Sequence, residues 1–113
     1  MKAQRRALEA RINRIKKQLS ELGELRPGSL SEQYSSCGKK GCRCQADPPE
    51  KHGPYYQISF TRHGKSSSQF VRKEEVAEAK SQLANYVRLR DLVDQWIDVS
   101  LELVALEKEA RKG

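Results

Sequence analysis

Tyr55-Tyr-Gln-Ile-Ser-Phe-Thr-Arg-His-Gly-Lys-Ser-Ser-Ser-Gln-Phe-Val71 is the stretch whose reading decides the fold class. Tyr56, Ile58 and Phe60 alternate with Tyr55, Gln57, Ser59 and Thr61, the two-residue period of a strand that buries one face. Arg62-His63-Gly64-Lys65 reads as a turn and Ser66 to Val71 as the returning strand, with Phe70 expected roughly opposite Tyr56 on the apolar face. Two strands alone are marginal in water, so that apolar face is expected to lie on a helix. The predicted fold is α+β and mostly helical, a single domain over 1–113. Its parts are an N-terminal helix (1–25), a Cys/His knuckle region (26–54), a β-hairpin (55–72) and a long C-terminal helix (73–113), the two long helices packing as a coiled coil.

Upstream of the hairpin, Cys37-Gly-Lys-Lys-Gly-Cys-Arg-Cys44 holds all three cysteines, and His52-Gly-Pro-Tyr-Tyr56 follows. Zinc takes four tetrahedral ligands, and Cys37, Cys42, Cys44 and His52 supply Cys₃His from one short segment. Gly38 and Gly41 let the backbone turn tightly around the sulfurs. His63 is a rival fourth ligand, but it lies at the far end of the first strand, about 20 Å away if that strand is extended. Four protein ligands make a closed, structural Zn²⁺ site with no open position for a catalytic water. Three reduced thiols and a turn histidine without metal are the plainer reading of the same residues.

Leu8, Ile12, Ile15, Leu19 and Leu22 are spaced by four and three residues, the seam of a heptad helix over 3–24, with Gly23 and Pro27-Gly28 as its stop. Ser29-Leu-Ser-Glu32 has the form of a capping box, which predicts a short helical turn from Leu30 to Tyr34. Glu74 and Glu75 suit a helix start, and no Pro or Gly follows until Gly113. Along that helix Val76, Ala79, Leu83 and Tyr86 are expected to carry the hairpin. Leu89, Leu92, Trp96, Val99, Leu103 and Leu106 are expected to pack on the N-terminal helix. Val93, Ile97 and Val104 widen the apolar face enough for a homodimer or a larger protein partner.

With 113 residues, a third of them charged and 6% aromatic, the chain has little material for a large core, and a metal or a partner chain is the expected supplement. Net charge is +7, unevenly spread: residues 1–72 are basic and 73–113 slightly acidic. A basic body suggests a polyanion such as nucleic acid, or else a basic helix paired with an acidic one. No apolar run is long enough to span a membrane, and Met1-Lys2-Ala3-Gln4-Arg5-Arg6 is not followed by the apolar core of a secretory signal. A cytoplasmic location is therefore expected, where clustered cysteines are ligands rather than disulfides.

The candidate nucleic-acid residues surround the cysteine segment and the hairpin: Arg26, Lys39, Lys40, Arg43, Lys51, Arg62, Lys65 and Arg72, which can neutralise phosphates. Gln57, Ser59, Thr61, Ser67 and Gln69 are read as the hydrogen-bonding outer face of the hairpin, as a ribbon laid in a DNA groove presents. An ordinary polar sheet face fits the same residues. Tyr55, on that face, could stack on a base, whereas Tyr56 is in phase with the core. A strand pair backed by a helix is similar in outline to the arm-binding domains of phage integrases, although those have three strands and only two are evident here.

Leu25-Arg-Pro-Gly-Ser-Leu-Ser-Glu-Gln-Tyr34, Cys37 to Cys44, His52 to Tyr56 and Leu83-Ala-Asn-Tyr86 together resemble a family of small bacterial and archaeal proteins known only as a domain of unknown function. The likeness covers roughly residues 25–100, with Lys40 standing where the family usually has Pro. Some members are encoded near mobile elements, which the resemblance makes compatible with a role in DNA transactions. The leading expectation is a zinc-stabilised nucleic-acid-binding module, more readily for DNA than RNA. The alternative is a protein-interaction or scaffold subunit built on the coiled coil. A zinc-dependent enzyme is a remote third reading, because no carboxylate pair, no nucleophile with a paired base and no phosphate-cradling loop emerges.

Overall fold

A computed structural model describes residues 2–35 and 52–112. The elements in order are α1 (Lys2–Ser20), β1 (Ser29–Ser35), β2 (His52–Arg62), β3 (Lys65–Val71), a 3₁₀ turn (Lys73–Glu75) and α2 (Val76–Lys112). The α+β, mostly helical reading holds, and the C-terminal helix runs unbroken for 37 residues. By internal contacts the chain divides into two compact units, one of residues 1–25 with 84–113 and one of residues 26–83.

In the first unit α1 and the later part of α2 run antiparallel. Arg5 meets Glu107 at 2.9 Å and Arg11 meets Glu102 at 3.6 Å, so rising numbers on α1 face falling numbers on α2. Ile15, Leu92 and Val99 are buried between the helices, with Leu8, Ile12, Leu19, Leu22 and Trp96 packed around them. The heptad seam was legible because every fourth or third residue must be apolar to keep facing the partner. Lys16 lies 5.1 Å from the Trp96 ring centre, a cation–π contact that covers the indole. Glu9 chiefly, through a hydrogen bond, and then the charge of Glu107 raise the Arg5 pKa. Part of the basic face of α1 is thus matched to acidic residues of α2, in half-exposed pairs that add little stability each.

α1 ends at Ser20, earlier than Gly23, where the helix closes through Glu21 N–H to Lys17 O and Leu22 N–H to Leu19 O. Asn85 lies within α2. Its side-chain amide donates to the Glu24 carbonyl at 2.7 Å, tying down the chain after α1.

The second unit is a three-stranded antiparallel sheet in the order β1-β2-β3, with the first turns of α2 on one face. Ile58 is fully buried, with Val71 and Ala79, and Leu30, Tyr56, Val76 and Leu83 close around them. Of the four residues expected to carry the hairpin, Val76, Ala79 and Leu83 pack on this core, whereas Tyr86 belongs to the helical unit, where its ring centre lies 6.0 Å from the Arg90 guanidinium. The third strand, not evident in the sequence, is β1, and it replaces the helical turn expected from Leu30 to Tyr34. A single isolated turn leaves most of its backbone groups unpaired, whereas this segment pairs with β2 from Ser29↔Ser59 to Gln33↔Tyr55. Gly28 enters that strand at φ +127, where a Cβ would lie 2.7 Å from the Ser59 carbonyl oxygen, so only glycine fits this close approach.

The hairpin turn is two residues long, His63 at φ 53 and Gly64 at φ 77, the positive pair of a type I′ turn. That loop pairs Arg62 with Lys65 and hence Tyr56 with Val71, so Val71 takes the core position expected for Phe70. Phe70 pairs with Gln57 and points to the opposite face. The same register moves Ser67 and Gln69, read from sequence as outer-face residues, to the face of Phe60 and Ile58.

Candidate nucleic-acid interface

The outer face of the sheet follows from strand alternation: Ser29, Ser31 and Gln33 on β1, Tyr55, Gln57, Ser59 and Thr61 on β2, and Ser66, Ser68 and Phe70 on β3. Its hydroxyls bond across the strands, Ser59 Oγ to Ser68 Oγ at 3.1 Å and Thr61 Oγ1 to Ser66 Oγ at 3.0 Å. Ser31 Oγ donates to the Gln57 carbonyl, and Gln33 Nε2 donates to Ser31 Oγ. The result is a polar ladder of hydroxyl and amide groups bonded across the three strands.

Two aromatic rings interrupt the ladder. Phe70 is 78% exposed and Tyr55 is 45% exposed. Leaving a phenylalanine in water forgoes about 1.5–3 kcal/mol of burial, and an apolar ring on an edge strand invites aggregation, so folding alone does not account for Phe70. Both rings border a cavity of about 390 Å³ whose other walls include Pro54, Arg72 and Lys73. Arg72, extended at φ −68 and ψ 147, carries the chain from β3 into the 3₁₀ turn, which places two consecutive cations beside the rings. Sequence reasoning missed Phe70 and Lys73. A strand-parity count back from the two-residue turn was the signal that could have found the first.

The other expected residues divide into four sets. Arg62 and Lys65 are exposed and paired at the hairpin tip, on the Ile58 face by alternation. Arg26 and Gln69 are brought together, Arg26 Nη2 donating to Gln69 Oε1 at 2.8 Å, while the Arg26 N–H donates to the Gln82 carbonyl. Arg26 also lines a small recess with Glu75 and Glu78, carboxylates that already supply negative charge to its surroundings. Gln57 alone of the expected glutamines is on the outer face. Lys39, Lys40, Arg43 and Lys51, with Cys37, Cys42 and Cys44, lie outside the described residues, and of His52 only the backbone is described.

That backbone is informative, because His52 is the register partner of Ser35 across a bulge in β1. At the same end of the sheet, Tyr34 donates its hydroxyl to Glu32 Oε1 at 2.8 Å. That bond above all, then desolvation and the carboxylate charge, raises the Tyr34 pKa. A Cβ on Gly53, at φ +145, would meet the Gln33 carbonyl oxygen and the Tyr34 ring at 2.8 Å, so β1 and β2 approach each other too closely there for any other residue. Among the described residues no group of three His, Cys, Asp or Glu side chains could hold a metal, and no helix is long and apolar enough to cross a membrane.

No curated protein and no solved structure matches the chain. The family model DUF6788, a domain of unknown function, matches residues 5–81, from within α1 through the sheet to the second turn of α2, which starts earlier and stops sooner than the 25–100 read from sequence motifs. With more than half of its 113 residues matched, the chain belongs to the DUF6788 family.

Proposed function

We propose that this protein is a small, zinc-stabilised nucleic-acid-binding module, accessory to DNA transactions, that works from the cytoplasm through the outer face of its sheet. The observation that carries the reading is the pair of exposed rings, Phe70 and Tyr55, set in a hydrogen-bonding polar face beside Arg72 and Lys73. The net charge of +7 adds long-range attraction for phosphates. Structural Zn²⁺ on Cys37, Cys42, Cys44 and His52 is supported by the strand register: Ser35 and His52 are partners, and Cys37 comes two residues after Ser35 in sequence. A metal between them would close the excursion that joins two paired strands, and Lys39, Lys40, Arg43 and Lys51 would ride on it.

The second reading is a protein-interaction subunit. It is favoured by the exposed stripe of Val93, Ile97, Leu101 and Val104 on α2, which lines a groove of about 270 Å³ suited to a second copy or a larger partner. Titration of the purified chain into labelled DNA oligonucleotides over a range of salt decides between them. Binding that weakens log-linearly with salt is expected for the first reading. Absence of binding at low salt rejects it and leaves the second.

A further inference from the structure

We infer that the nucleic acid this face takes is single-stranded, with unpaired bases stacked on Phe70 and Tyr55 and the adjoining phosphates held by Arg72 and Lys73. The inference rests on the nucleic-acid reading of the sheet and names the form of the ligand. In a duplex the base faces are covered by their neighbours, and only edges and backbone are offered to a protein. An exposed aromatic ring therefore has its matching surface only on a base that has left the stack.

The spacing supports the same conclusion. Phe70 stands opposite Gln57, and Tyr55 lies two residues along β2 from Gln57, which makes the two rings diagonal neighbours on one face. Their backbone positions are then about 7–8 Å apart. Bases stacked on one another are about 3.4 Å apart, so each ring takes a separate base and the strand is stretched between them. Gln57 lies in the same cross-strand row as Phe70, where its amide can meet base edges with little preference for sequence. Arg72 and Lys73 stand at the end of this track, within the same concave wall as both rings.

A labelled mixed-sequence single strand of about fifteen nucleotides and the matching duplex, each titrated by anisotropy with the full chain, test the idea. The wild-type chain should bind the single strand more tightly. Phe70→Ala, at an exposed position, should weaken single-strand binding roughly tenfold or more while leaving the salt slope unchanged. The Arg72→Gln, Lys73→Gln double variant should weaken it and lower the slope by about 1.4, the share of two phosphate contacts on a single strand. Circular dichroism melts confirm that each variant is folded. Tighter duplex binding, or a folded Phe70→Ala variant that binds the single strand like wild type, overturns the stacking proposal while the nucleic-acid reading survives. No binding of either form at low salt overturns both.

Discussion

The helical unit and the sheet unit are held together on different plans. Between α1 and α2 the contact repeats: Ile15, Leu92 and Val99 are buried along a seam that Leu8, Ile12, Leu19 and Leu22 extend over the length of α1. In the sheet unit the contact converges on Ile58 in the central strand, and the other buried residues are smaller, Val71 and Ala79. A repeated seam spreads the loss of any one side chain, whereas a convergent core has one irreplaceable member. The smaller core also has the greater need of a clasp outside it, which is the role proposed for zinc.

The sharpest way to break this comparison is to remove the clasp. Structural zinc contributes on the order of 10 kcal/mol to folding in small zinc modules. Cys42→Ser is expected to lower zinc stoichiometry from near one per chain and to unfold the sheet, with hydrogen exchange accelerating across β2 and β3 while amides of α1 and the later part of α2 stay protected. Wild-type protein that is folded, reduced and free of zinc would remove the clasp from the account.

Substitutions in the two cores come next in size. Ile58→Ala and Leu92→Ala delete comparable volumes at fully buried positions, and each is expected to cost about 2–5 kcal/mol. The prediction lies in their difference. Ile58→Ala belongs at the top of that range, with loss of β-sheet exchange protection, and Leu92→Ala at the bottom, since Trp96 and the leucines of α1 can close over the gap. Equal costs in urea melts would show that the convergent core is no more fragile than the seam.

What the sequence made legible follows the same division. The seam could be read because its period is carried by leucines and isoleucines, and the hairpin because Tyr56, Ile58 and Phe60 alternate with polar residues. β1 was hidden: Leu30 is its sole aliphatic residue, and the serines and Glu32 that pair it to β2 also spell a capping box. Phe70 reads as a core residue because large apolar side chains are usually buried. The two-residue I′ turn, not hydrophobicity, sets its face. The proposed zinc ligands are read only as residue types at spacings: Cys37, Cys42 and Cys44 lie outside the described residues, and of His52 only the backbone is described.

Arg26 gives the smallest effect and the finest division of labour within the sheet unit. Its sequence context, a cation beside a basic segment, suggested phosphate contact, yet its guanidinium bonds Gln69 and shares a recess with Glu75 and Glu78. An exposed hydrogen bond of this kind contributes about 0.5–1.5 kcal/mol, and the Arg26 backbone bond to Gln82 survives any side-chain change. Arg26→Ala is therefore expected to lower the stability of the sheet unit by about that amount and to leave the salt slope of oligonucleotide binding unchanged. A variant with wild-type stability and a shallower slope would return Arg26 to the interface. The phosphate contacts would then extend along the sheet edge from Arg72 instead of ending beside the rings.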